Sequence, residues 1–204
     1  MRDRDLVLCL HAHQPVFDLE PAFEAAWRLH VGPLLDGLGR RPGVRVALHV
    51  SGVLLDWLAD RQPEALGRLA ALARRGQVEL LASGHYAPLL AAIPERDRVG
   101  QLRRHADTLE RLTGRRPSTA WLADGAWEPH LPRALVEAGM TGVVVPAALL
   151  PGLGGGYVVT EDLGAALAAY PARPWPDAPG PVSGAAGFET LPAPAARDDE
   201  DGPD

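Results

Sequence analysis

The chain has no lysine: all 20 basic residues are arginine. Amine chemistry, whether a Schiff base or a lysine bridge between two metals, is therefore excluded within it. A single cysteine, Cys9, excludes an internal disulfide framework and any zinc site built on cysteine pairs. No apolar run approaches the roughly 20 residues of a membrane-spanning helix. The N-terminal run "LVLCL" is too short for a secretory core. From these the expectation is a cytoplasmic protein with no membrane partner. A basic excess is missing too. The 26 acids outweigh the bases for a net charge of −6, and from Ala172 onward seven acids face two arginines. The body is thus close to neutral and has no field to attract nucleic acid. No G-x-S-x-G elbow, P-loop or dinucleotide fingerprint occurs, and the glycine-rich "GLGGGY" opens no helix, so it is discounted as a phosphate cradle.

What is present fits one folded unit. The chain has 204 residues, 47% of them hydrophobic, which suits one domain around one core. Apolar, β-rich runs at 6–10, 44–50, 78–82, 119–122 and 142–145 lack polar alternation, as buried parallel strands do. Helical rhythms lie between them, at 21–38, 53–60, 63–75, 94–112 and 130–138, several opening with proline and closing on glycine. Ser51 stands where an N-cap for the second of these belongs. This alternation predicts an α/β fold with parallel strands, either a (β/α) barrel or a doubly wound sheet. From Pro171 to the end, eight residues are proline among alanine, glycine and acids. The expected division is a domain over 1–171 and an extended or disordered tail over 172–204.

Three stretches carry chemistry. "HAHQP" follows the first strand, where parallel folds bind ligands. His11 and His13 are two apart, so in extended chain they face the same way. Two imidazoles on one side suit a metal or sugar hydroxyls. "QVELLASGHYAPLL" places Glu79 in an otherwise apolar strand, where a carboxylate facing the interior needs a partner or ligand; the alternative is a wet position at the strand's start. His85 and Tyr86 then form a strand-end loop, with Tyr86 offering either a ligand-facing ring or a cap on the core. "AWLADGAWEP" brackets Asp124 and Glu128 with Trp121 and Trp127, and flat indoles stack on the apolar faces of pyranose sugars. Glu128 lies just before Pro129 at a helix start, where the helix dipole alone favours an acid. Asp124 is the chemical candidate.

With these residues in view, the chain resembles glycoside hydrolase family 57. "HAHQP", "SGHYAPLL" and "WLADGAWEP" look like its signatures, supported by "HVSGVLLDWL", "RRGQVELLASG", "AAIPERDRVGQ", "ALVEAGMTGVVV" and "YVVTEDLG", in order from Leu6 to Pro171. The resemblance is strongest to the 4-α-glucanotransferase and α-amylase branch. It implies an incomplete (β/α)7-type barrel and a retaining mechanism with no metal or cofactor. It puts His11, His13, Glu79 and Trp121 on substrate-contacting positions and Asp124 on that of the nucleophile. His85, Tyr86 and Trp127 join the expected sugar-binding rim. Active members carry glutamate at the nucleophile position and usually arginine after it; here the pair is Asp124 and Gly125. Aspartate is one methylene shorter, and a misplacement of about 1 Å can cost about 100-fold in rate. A retaining glycosidase also needs an acid/base about 5–5.5 Å from the nucleophile. The family supplies it from a later strand with an Asp-Asp-Gly-Glu-like sequence, whose echo here is Asp198 or Asp199 in "ARDDEDGPD", with Asp199 the candidate acid/base.

The expected function is an α-glucan-active hydrolase or glucanotransferase, truncated or degenerate, whose partner is an α-glucan or maltooligosaccharide. The alternative is a non-catalytic α-glucan-binding pseudoenzyme. A more distant one, from the His-x-His pattern alone, is a metal-dependent amidohydrolase or deacetylase. Oligomeric state is not legible. The histidines outside the signatures, His30, His49, His105 and His130, read as residues of helices and strands.

Overall fold

A computed structural model of the chain describes residues 6–122, 125–150, 156–174 and 187–192. Each apolar run expected to be a strand is one: β1 (Leu6–Ala12), β2 (Val46–Val50), β3 (Val78–Leu81), β4 (Thr119–Trp121) and β5 (Gly142–Pro146). Between them lie α1 (Glu20–Ala26), α2 (Gly32–Arg40), α3 (Gly52–Arg61), α4 (Pro63–Arg74), α5 (Glu95–Thr113) and α6 (Leu131–Glu137). Three further strands follow: β6 (Val158–Asp162), β7 (Ala165–Pro174) and β8 (Gly187–Pro192). The helix expected over 21–38 is divided by a π-helical turn, Trp27–Val31. Pro33 has no N–H to continue the regular ladder, and just before it the Gly32 N–H reaches back five residues to the Trp27 carbonyl.

The strands form one sheet in the order β3-β2-β1-β8-β7-β5-β4, with β6 pairing outside this path on β7. β1, β2 and β3 are mutually parallel, as are β4, β5 and β7. β8 runs antiparallel to both β1 and β7. The two ends of the path, β3 and β4, meet at one isolated bridge between Ala82 and Ala120. There the Ala82 N–H donates to the Thr119 carbonyl at 2.9 Å and the Trp121 N–H donates to the Ala82 carbonyl at 2.6 Å. The sheet therefore curls toward a barrel, and among the described residues no continuous ladder closes it.

Parallel α/β architecture is as expected, and the strand arrangement departs from a simple (β/α)7 alternation at β6 and β8. The boundary expected after residue 171 falls inside β7, because Ala172 pairs with Pro146 and is buried on the inner face. Residues 187–192 of the expected tail are β8. Among the described residues no helix is long and apolar enough to cross a membrane.

Side chains alternate across the sheet. The outer face packs on the helices in two groups. Leu10, Leu48 and Leu80 meet Leu54, Leu55 and Leu69 on one side. Leu122, Val143 and Val145 meet Leu102, Leu131 and Leu135 on the other. Each such leucine contributes about 1.5–3 kcal/mol through burial. The inner face has a much smaller apolar cluster of Cys9, Ala47, Leu81, Trp121, Val144 and Ala172. Above it, at the carboxyl ends of β1–β3, the inward positions are His11, His13, His49, Ser51 and Ser83.

Candidate functional site

Strand register gathers the site. His11 on β1 pairs with His49 on β2, and His49 with Leu81 on β3. In-register residues share a face, so His11 and His49 meet inside: their rings stack at 4.8 Å and 8°, and their Nδ1 atoms lie 2.7 Å apart. His13, two residues on, stacks on His11 at 5.6 Å. From across the barrel Trp121 stacks on His11 at 5.8 Å and 20°. Signatures 110 positions apart thus share one hollow.

Behind these rings runs a buried polar network. His49 Nε2 contacts Ser83 Oγ at 2.7 Å. The Ser83 backbone N–H donates to His105 Nδ1 at 2.8 Å, and His105 Nε2 lies 2.9 Å from the Val50 carbonyl. His105 comes from α5, whose buried stripe turns it into the barrel end. Its ring meets His49 edge-on at 5.6 Å and His85 at 5.9 Å. His85 in turn holds Asp56 of α3 at 3.0 Å through Nε2 and lies edge-on to Tyr86 at 4.7 Å. Gly52 lets α3 come this close: a Cβ there would collide with the His85 ring and its carbonyl. Ser51 occupies the N-cap position of α3 but makes no side-chain cap bond. Its Oγ instead accepts from the Gln14 N–H at 3.2 Å, which ties the "HAHQP" turn to β2.

The hollow is electrically neutral at its histidines. Burial pushes His11 down to about 4, with His13 adding to the shift. Burial likewise takes His105 to about 4, against the opposing bond to Val50. His49 is held well below its usual range by burial and then by its histidine neighbours. Burial also lowers His13, against the pull of Asp18, and His85, against its bond to Asp56. All five are imidazoles at pH 7.

Among the described residues four buried polar side-chain atoms have no hydrogen-bond partner: His13 Nδ1, Gln14 Oε1, His85 Nδ1 and Trp121 Nε1. Native interiors satisfy nearly all such groups. A cluster of exceptions beside stacked rings is what a polar-ligand site presents. Among the described residues no group of three or more His, Cys, Asp or Glu is arranged to hold a metal ion.

Of the expected site residues, His11, His13 and Trp121 come together, and His85 joins them through the network. Tyr86 stands at the exposed edge beneath the Arg104 guanidinium, 4.9 Å from its ring centre. Glu79 is on the same inward face but is in register with Ala47, two residues (about 7 Å) nearer the amino end than the His11–His49 layer. It is exposed there, accepts from Thr119 Oγ1 at 3.3 Å and borders a cavity of about 470 Å³ with Arg115 and Ser118. Trp127 packs, half-buried, on the outer apolar group. Asp124 and Asp199 lie outside the described residues. The sequence reading missed His49, Ser83 and His105. The available signal for His105 was its place three residues after Leu102 on the buried stripe of α5.

A family model for glycosyl hydrolase family 57 matches residues 22–148. The chain belongs to this family. It is 35% identical over 170 residues to alpha-amylase 1 of Dictyoglomus thermophilum, covering 80% of this chain and 25% of that protein. It is 35% identical over 141 residues to the 4-alpha-glucanotransferase of Thermococcus kodakarensis, covering 69% and 21%. The crystal structure of the 4-alpha-glucanotransferase from Thermococcus litoralis superposes with a TM-score of 0.77 at 34% identity, over 82% of this chain and 27% of that one. The alpha-amylase AmyC from Thermotoga maritima, 15% identical with a TM-score of 0.63, shares the fold. This family 57 chain therefore spans about a quarter of the length of the curated relatives it matches.

Proposed function

We propose that this family 57 chain carries an α-glucan-binding hollow of a glycoside hydrolase or glucanotransferase. The observation that carries the reading is the stack of His13, His11 and Trp121, with His13 Nδ1 and Trp121 Nε1 buried and without a partner among the described residues. Flat rings contact the apolar faces of a pyranose, and unpaired ring nitrogens meet its hydroxyls. Neutral imidazoles suit an uncharged ligand. The relatives named alpha-amylase and 4-alpha-glucanotransferase support this class.

The chemical step rests on Asp124. Its carboxylate attacks the anomeric carbon, the glycosidic bond breaks, and the leaving oxygen takes a proton from a second carboxylic acid. Water or a glucan hydroxyl then displaces Asp124, giving hydrolysis or transfer. Among the described residues Asp56 is bonded to His85, and Asp18, bonded to Gln14, acts on His13 by its charge. Neither is bonded to His11, His13 or Trp121.

The test is incubation with maltooligosaccharides followed by chain-length analysis, alongside calorimetric titration. Redistribution of chain lengths that disappears in Asp124→Ala supports catalysis. Binding lost in Trp121→Ala without any turnover by the native chain supports a binding protein instead. No binding at all would sink the α-glucan reading.

A further inference from the structure

The hydrogen-bond network behind the hollow has a direction, and it fixes the chemistry of His11. Three of its groups are backbone atoms with only one possible role. The Ser83 N–H can only donate, so His105 Nδ1, 2.8 Å away, is the acceptor and carries no proton. The proton of neutral His105 is then on Nε2, donating to the Val50 carbonyl. The single hydroxyl proton of Ser83 faces two groups that can only accept, the Gly84 carbonyl at 3.0 Å and the bare His105 Nδ1 at 3.3 Å. With that proton directed to either of them, Ser83 Oγ receives the 2.7 Å bond from His49, and the His49 proton is on Nε2. His49 Nδ1 is left bare. Its 2.7 Å contact with His11 Nδ1 is a hydrogen bond only when His11 supplies the proton.

We propose that His49, seated on Ser83, is a positioning residue that holds the His11 proton on Nδ1 and leaves Nε2 of His11 as a standing acceptor for a ligand hydroxyl. Which ring nitrogen of a histidine is protonated is set by the bond the other one makes. Among the described residues the hydrogen bond of the His11 ring is made through Nδ1, while the indole N–H of Trp121, stacked against it, is a buried donor without a partner. A hydroxyl can donate to Nε2 of His11 and accept from the indole. A phosphate monoester dianion or a carboxylate can only accept, so it satisfies the indole N–H and leaves Nε2 of His11 without a donor. The network thus selects neutral polyhydroxylated ligands over anionic ones. Its ligand class rests on the α-glucan reading above; its proton placement does not.

The test separates the two. Long-range 1H–15N spectra of the histidine rings in the free, full chain at pH 7, assigned with His11→Gln, report each tautomer directly. The expected result is His11 protonated on Nδ1 and His49 and His105 on Nε2. His11 found on Nε2, or charged, overturns the proposal. Ser83→Ala removes the acceptor of His49 with a small change of volume, and His49→Phe removes both bonds. In each, His11 should lose its single-tautomer pattern, and an unchanged pattern in the folded Ser83→Ala protein also overturns the proposal. Maltoheptaose affinity should fall about tenfold in Ser83→Ala, the size of one misdirected hydrogen bond. With the native tautomers as stated, absence of any maltoheptaose binding would remove the α-glucan reading and leave the relay standing.

Discussion

The two faces of strand β2 divide the molecule's labour. Val46, Leu48 and Val50 point outward and are packed by helices, while Ala47 and His49 point inward, and all five are buried. The outer face is apolar throughout and supplies stability by area. The inner face buries polar rings that cost stability unless every nitrogen is partnered, and at its mouth several are not. Equal burial therefore conceals opposite tasks. Partnering, rather than exposure, tells the site from the core.

Four measurements break or sharpen this contrast. The largest effect belongs to the outer face. Leu55→Ala empties a fully buried position and should lower unfolding free energy by about 2–5 kcal/mol in urea titrations, with glucan affinity unchanged in the folded fraction. Acid attacks the inner face instead. His11 and His105 fall to about 4 in the folded chain, against an ordinary value near 6.5 when unfolded. The unfolded state then binds more protons, so stability is complete above pH 6.5 and is lost as pH falls toward 4. For fully buried His105 this amounts to on the order of 3 kcal/mol. A urea midpoint that stays flat between pH 7 and 4.5 would contradict a neutral histidine cluster. Next comes Gly52→Ala, whose new methyl meets the His85 ring and carbonyl. Overpacking of this kind costs about 1–3 kcal/mol, and here it should also disturb the His85–Asp56 pair, visible in the His85 ring spectrum. The smallest is Arg116→Ala. Its bonds to Asp107 and Glu110 are both 2.7 Å but solvent-exposed, and exposed pairs contribute about 0–1 kcal/mol.

Gly125 adopts φ = 65°, with Pro146 packed 3.1 Å from where a Cβ would sit. An arginine in that conformation carries about 1–2 kcal/mol of backbone strain. In this chain, glycine at 125 is matched to its own backbone.

Much of the frame was legible. The runs at 6–10, 78–82 and 142–145 became strands because continuous apolarity has few other uses at that length. "HAHQP" and Trp121 stood out because two imidazoles at a strand end, or an indole beside acids, have no need to be there for packing. His49 and His105 did not stand out. A lone histidine in "VALHV", or on a helical stripe, looks like core until register places it against another ring. The β6–β7 hairpin was hidden for a different reason: "AALAAY" is weak in strand propensity, and only pairing with β5 and β6 makes it a strand.

By itself the sequence determined which segments are buried and which residue types could do chemistry, because hydrophobic period and side-chain identity are local properties. The tertiary structure alone decided which of seven histidines share a hollow, which nitrogens are partnered and which stay unpaired. Those outcomes depend on strand register and on distances between positions tens of residues apart, which no local pattern encodes.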